Sequence, residues 1–211
     1  MKGKFLVFEG CHASGKTTLA RRLSDSLGDK GKKVLLTKEP FNENIRAIIE
    51  KISEEEAKLQ GNLAVLYLLS ADRYLHLDFI GEQLEENDFV ISDRYILSSL
   101  VYQQMQGISA SVIEEANSFC IVPDLTFFVD APLDVRLRRS KNEDRKKPDT
   151  YFRKKYELER DLYNQICKDF SDRYKIIRIN NDQPLDTVVT DLEKSLLENS
   201  CNWFCSLFLI I

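Results

Sequence analysis

Residues 10–17 read Gly-Cys-His-Ala-Ser-Gly-Lys-Thr: a glycine, four residues, then Gly-Lys-Thr. Glycines at that spacing let backbone N–H groups converge on an anion with no Cβ in the way. An apolar run, Phe5-Leu6-Val7-Phe8, comes before it, and a helical pattern opens at Thr17-Thr18-Leu19. A helix start adds unsatisfied N–H groups and the positive end of its dipole. Lys16 is placed to reach the β- and γ-phosphates of a nucleoside triphosphate, and the Thr17 hydroxyl to ligate Mg2+. The expected triphosphate-binding set is Gly10, Cys11, His12, Ala13, Ser14, Gly15, Lys16, Thr17 and Thr18.

Two further stretches could handle phosphate. Asp93-Arg94-Tyr95 follows the run Phe89-Val90-Ile91-Ser92. The fixed fork of donors on Arg94 suits a second phosphate group. Asp93 suits a magnesium ion reached through water, or the orientation of that phosphate. Residues 136–155 hold the basic cluster Arg136, Arg138, Arg139, Lys141, Arg145, Lys146, Lys147, Arg153, Lys154 and Lys155 against only Glu143, Asp144 and Asp149. The centre of this run, about 140–150, is too polar to pack as core and reads as a lid. Phosphoryl transfer needs such charge over oxygens whose charge changes in the transition state.

Elements that must position these residues follow from patterning. Strand candidates are 4–9, 33–37, 88–92, 125–130 and 174–179. Helical stretches lie near 16–28, 42–53, 60–86, 96–105, 109–119, 132–140, 150–171 and 185–199. Alternation of this kind predicts an α/β fold, a five-stranded parallel sheet with helices on both faces. Ligands then bind at the carboxyl ends of the strands. Residues 1–199 are expected to form one domain carrying the lid, and 200–211 an apolar tail.

Composition narrows the class. The chain has 211 residues, 43% of them hydrophobic and 30% charged, as expected of a soluble globular domain. A net charge of −4 argues against general nucleic-acid binding. Five scattered cysteines suggest neither a disulfide framework nor a zinc site, so a cytoplasmic protein with reduced thiols is expected. Only Phe5 to Phe8 form an apolar run before Glu9, too little for a signal peptide. The uncharged tail from Trp203 to Ile211 is far short of the ~20 residues of a membrane span.

The ordered motifs Phe8-Glu9-Gly10 to Thr18, Glu39-Pro40, Ala71-Asp72-Arg73, Asp93-Arg94-Tyr95 with Ser98-Ser99 and Tyr102-Gln103, and Pro123-Asp124-Leu125-Thr126 resemble thymidylate kinases. Gln183-Pro184-Leu185 matches the entry to that family's last helix. The resemblance implies a homodimeric P-loop kinase that transfers the γ-phosphoryl of Mg·ATP to dTMP. It implies that Arg94 holds the acceptor phosphate, that Arg73 hydrogen-bonds the base, and that Tyr102 lies beneath the sugar. Ser98, Ser99, Gln103, Glu39 and Pro40 complete the implied acceptor site, with Glu39 acting on it through magnesium or water. Arg139 and Gln183 join the ATP site. Lys16, Arg94, Asp93 and a lid arginine make up the catalytic set. The family draws that arginine from the loop or from the lid. Ala13 stands where the loop arginine would, so Arg145 is the expected choice. Two departures stand out. Leu69 replaces an aromatic that stacks on the base, and His12 replaces the Asp of many relatives. Metal ligation then falls to Thr17, with Asp93 or Glu9 in an outer shell. A nucleoside monophosphate kinase of other or relaxed base choice, and an NTP-binding regulatory ATPase, are the alternative readings.

Overall fold

The computed structural model describes residues 3–54, 59–140 and 149–205. Five parallel strands, β1 (Lys4–Gly10), β2 (Val34–Lys38), β3 (Phe89–Asp93), β4 (Leu125–Asp130) and β5 (Ile176–Asn180), form one sheet in the order β2-β3-β1-β4-β5. The chain leaves β1, passes beyond β3 to β2, returns to β3, and then crosses β1 to reach β4. The crossovers reverse direction around β1, which creates a crevice at its carboxyl end. Register puts the functional ends level. Lys38 pairs with Asp93, Phe8 with Asp93, Gly10 with Val129, and Asp130 with Asn180.

Alternation along β1 divides the core. Phe5 and Val7 point to one face, where they pack with Val90, Phe128, Leu66, Ile80, Leu97 and Tyr163. Leu6 and Phe8 point to the other, against Leu19, Leu23, Phe127, Leu192 and Leu196. The first face is covered by α3 (Leu59–Glu86), α4 (Ile96–Met105), α5 (Ala110–Ala116) and α7 (Asp149–Asp169). The second is covered by α1 (Lys16–Asp29) and α9 (Leu185–Cys205). Every residue of β4 is buried, as its nearly unbroken apolar run predicts for a strand covered on both sides. α2 (Glu43–Glu54) packs on α3, and α6 (Leu133–Arg139) on α7.

Two boundaries differ from the sequence reading. Tyr174 ends a short helix, α8 (Ser171–Tyr174), and β5 begins two residues later. The last helix passes residue 199 and continues to Cys205. No helix among the described residues is long and apolar enough to cross a membrane.

Candidate active site

The loop between β1 and α1 is held open by backbone conformations that few side chains adopt. Gly10 has φ 150° and lies against the Val129 carbonyl of β4, where a Cβ would collide. Gly15, with φ 93°, caps α1 against the Asn181 side chain. Ala13 takes φ 58° although it carries a Cβ. The Ser14 hydroxyl is buried with no hydrogen-bond partner. The Lys16 ammonium lies inside the turn, 3.5 Å from the Cys11 carbonyl. Burial, and next the nearby Arg94 charge, lower its pKa to about 8. An anion in the loop would relieve both penalties.

The opposite rim of the loop is built from residues far apart in sequence. Arg139, at the end of α6, donates to the Ser14 and Asn181 carbonyls, each at 3.0 Å. Asn181, just past β5, donates to the Ser14 carbonyl at 2.7 Å. Arg139, which the resemblance assigns to the ATP site, thus lies against the loop. Gln183 is exposed, and the contact with the loop belongs to Asn181, one residue past the strand. Arg136 leaves the lid cluster altogether. It is fully buried and donates to the His12 carbonyl at 2.9 Å, the Tyr156 carbonyl at 3.0 Å, and Glu159.

All nine expected acceptor residues line a single cavity of about 210 Å³: Glu39, Pro40, Leu69, Arg73, Arg94, Ser98, Ser99, Tyr102 and Gln103. Val65, Ile49 and Gln106 add to its wall. Arg94 has φ 79°, an unusual backbone for a side chain of its size. Its amide donates to the Phe8 carbonyl at 2.9 Å, and the Ser92 hydroxyl donates to its carbonyl at 2.8 Å. Its guanidinium donates to the Ser98 hydroxyl at 3.0 Å and the Tyr102 hydroxyl at 3.3 Å, and lies 5.2 Å over the Tyr102 ring. Gln103 Oε1 is buried with no partner at the same cavity.

Arg73 comes to this cavity already engaged. It donates to both Glu39 oxygens, to Asn117 and to the Ser99 hydroxyl. Four of its five N–H groups are thereby used. Glu39 accepts as well from His76 at 3.3 Å. Burial pushes its carboxyl upward, but the Arg73 charge and the His76 and Arg73 hydrogen bonds outweigh that and leave it below the usual range. Glu39 thus holds Arg73 with both oxygens. Glu9 is likewise hydrogen-bonded through both oxygens. It accepts from the Tyr95 and Ser98 amides at 2.8 and 3.0 Å and from the Ser98 hydroxyl at 2.6 Å, closing the N-terminus of α4.

Three contributors were not legible as site residues. His76, fully buried, links Thr37 (2.9 Å) to Glu39 and stacks on Phe41 at 4.7 Å. It lies three residues beyond Arg73, on the same helix face, and that spacing was the available signal. Asp72 accepts from the Phe41 and Asn42 amides, both at 2.6 Å, and so fixes the segment that carries Pro40. Asn117 reaches Arg73 from the end of α5, with no sequence signal.

Residues that fit magnesium lie between loop and cavity. The Thr17 hydroxyl donates to Asp93 Oδ2 at 2.5 Å, while Asp93 Oδ1 is buried with no hydrogen-bond partner. Two hard oxygens with an unsatisfied lone-pair edge suit Mg2+, which takes few protein ligands and relies on phosphate oxygens and water. Among the described residues no cluster of three or more His, Cys, Asp or Glu could hold a metal alone. Arg145 lies outside the described residues.

Comparison with known proteins shows what the whole chain is similar to. The sequence model of one family, described as thymidylate kinase, matches residues 8–192. A probable thymidylate kinase of Pyrococcus horikoshii is 41% identical over 146 residues, covering 67% of this chain and 71% of its own length. One from Metallosphaera sedula is 35% identical over 198 residues, covering 92% and 94%. The thymidylate kinase of Bacillus cytotoxicus is 32% identical over 203 residues, covering 91% and 96%. The crystal structure of thymidylate kinase from Ehrlichia chaffeensis superposes with a TM-score of 0.69 at 28% identity, over 93% of this chain and 99% of that one.

Proposed function

The chain belongs to the thymidylate kinase family and phosphorylates dTMP to dTDP with ATP as donor, and we propose that the Arg94 cavity seats dTMP while residues 10–17 seat the ATP phosphates. The observation that carries this division is Arg94 itself. Its strained backbone is pinned by β1 and β3, and its guanidinium faces the cavity. There it would grip the dTMP phosphate beside Lys16. A phosphate oxygen of dTMP attacks the γ-phosphorus, the bond from that phosphorus to the bridging oxygen breaks, and ADP leaves. The attacking oxygen is already ionised, so no strong base is needed. Positioning and charge stabilisation supply most of the rate gain. Lys16 and a lid arginine, for which we take Arg145, stabilise the transferring group. Magnesium, when bound, neutralises charge on the ATP oxygens, and Thr17 and Asp93 are the residues that would hold it. Arg139 and Asn181 shape the loop rim where the donor nucleoside would lie.

An acceptor screen tests the reading. ADP release should be fastest with dTMP among the common nucleoside monophosphates, and Arg94→Ala should lower the rate with every acceptor by removing the phosphate grip. Equal rates with dCMP or dGMP would favour the relaxed-specificity reading, for which the apolar Leu69 at the cavity wall is the motive. ATP hydrolysis with no acceptor phosphorylated at all would favour a regulatory ATPase.

The partner we assign is a second copy of the chain. Tyr67, Tyr74 and Leu75 are exposed along one face of α3, with Ile48 exposed on the adjoining α2. A homodimer covering that face is expected in sedimentation velocity, and a monomer at micromolar concentration would reject it. A cytoplasmic location is supported by the free thiols of Cys11, Cys120 and Cys167.

A further inference from the structure

Helix α7 presents Tyr156, Glu159 and Tyr163 at spacings of three and four, along one face. Each touches a different part of the site. The Tyr156 ring lies 5.6 Å from the His12 ring and 4.7 Å from the Arg136 guanidinium. The Tyr163 hydroxyl lies 3.2 Å from both Ser98 and Glu9. Between them, Glu159 is 2% exposed and bonded on both oxygens. Oε1 accepts from the His12 amide at 2.7 Å and from the Tyr102 hydroxyl at 2.6 Å. Oε2 pairs with Arg136, whose Nε donates to the His12 carbonyl at 2.9 Å.

One buried carboxylate therefore holds both polar backbone groups of His12, one directly and one through Arg136, and also reaches the Tyr102 hydroxyl on the cavity side. That hydroxyl is 3.3 Å from Arg94 Nη1. The triphosphate loop, with an imidazole and no carboxylate at position 12, takes its negative partner from α7. A buried ion pair is weak evidence for stability. A buried network with every member satisfied does fix geometry.

We propose that Glu159 is a positioning residue that couples occupancy of the acceptor cavity to the shape of the triphosphate loop. An acceptor phosphate on Arg94 orients the Tyr102 hydroxyl, which holds Glu159, which holds the His12 amide. The loop is then preformed for the donor, and by linkage the donor strengthens acceptor binding by the same factor. The proposal rests on the Arg94 cavity being the dTMP site.

Calorimetric titration of the full chain with dTMP, alone and with the loop saturated by a magnesium complex of a nonhydrolysable ATP analogue, measures this factor. Wild type should bind dTMP roughly fivefold or more tightly when the analogue is present. Glu159→Asp keeps a carboxylate on the same helix face but withdraws it by one methylene from His12, Tyr102 and Arg136 alike. It should bring the factor close to one, with dTMP affinity in the absence of analogue changed by less than about threefold. Tyr102→Phe leaves the Arg136–Glu159 pair whole and should also remove the coupling, whatever it does to dTMP affinity alone. A wild-type factor of one, or full coupling in both variants, overturns the proposal. Failure of wild type to bind dTMP would instead reject the acceptor site on which it rests.

Discussion

The Thr17 hydroxyl donates to Asp93 Oδ2 at 2.5 Å and leaves Asp93 Oδ1 buried without a hydrogen-bond partner. The contact joins the first turn of α1 to the end of β3, so a metal held there would sense both substrates. Asp93→Asn keeps shape and a hydrogen-bonding oxygen but removes the charge. It should raise the Mg2+ concentration for half-maximal rate by about 10–100-fold. A magnesium titration at saturating ATP reads this, and an unchanged midpoint would contradict the role given to Asp93.

Glu39 and Arg73 form a buried, bidentate pair under the acceptor cavity. Removing one partner strands the other charge in a low-dielectric interior, at a cost of about 3–5 kcal/mol. Glu39→Gln should lower the stability measured by urea unfolding by that amount. The acid sensitivity has a definite sign. The Glu39 carboxyl is depressed in the fold, so its contribution is present above the ordinary carboxylate pKa of about 4.3 and is lost as pH falls through the folded value. Glu9 is raised, chiefly by burial and against the Ser98 hydrogen bonds. Its contribution is present at low pH and lost as pH rises. The Glu39 component is therefore read as the difference between wild type and Glu39→Gln below about pH 4.3.

Lys16 has its pKa lowered to about 8 by burial and the Arg94 charge. Below that pH the free enzyme presents a cation to the triphosphate; above it, binding must first take up a proton. ATP affinity should fall as pH rises past 8, and at pH 8.5 calorimetry in buffers of different ionisation enthalpy should show net proton uptake. Lys16→Arg, which stays charged, should flatten the profile. A wild-type affinity constant between pH 7 and 9 would show that Lys16 does not set it.

The sequence-level reading worked best where a local pattern dictates the outcome. The nine residues that the family resemblance assigned to the acceptor line one cavity, and the three-residue helix spacing of Ser99 and Tyr102 lets both face it. It did less well where a residue's task depends on a partner distant in sequence. The family resemblance placed Glu39 at the acceptor site, acting through magnesium or water. Only the packing of α3 beneath it shows that Arg73 and His76 use both its oxygens. Arg136 counted as one more lid charge, yet its position on the inner face of α6 buries it against α7. Asn181 had a signal, its place just past β5 at a strand's carboxyl end, but Asn117 and Glu159 come from the end of α5 and from α7, and no spacing within the chain announces that they meet the site.

The basic cluster also separates into parts that experiment can resolve. Arg136 is a buried strut, and Arg139 is bound to the Ser14 and Asn181 carbonyls. Arg153 is half-exposed and paired with an exposed Asp134 at 3.1 Å. Exposed pairs of that kind contribute little, and a side chain committed to solvent on α7 is poorly placed to meet a transferring phosphoryl group. The family resemblance draws the catalytic arginine from the loop or from the lid, and Ala13 stands at the loop position, so we propose that Arg145 supplies the charge. Arg145→Ala should therefore lower kcat by about 10²–10³-fold, the usual cost of one electrostatic donor to the transition state. The dTMP Kd should barely change, because Arg94 holds the acceptor. Arg153→Ala should leave kcat within about threefold of wild type. Single-turnover rates with both substrates saturating separate the two. If Arg153→Ala or Lys147→Ala shows the large loss and Arg145→Ala does not, the transition-state charge comes from that residue instead.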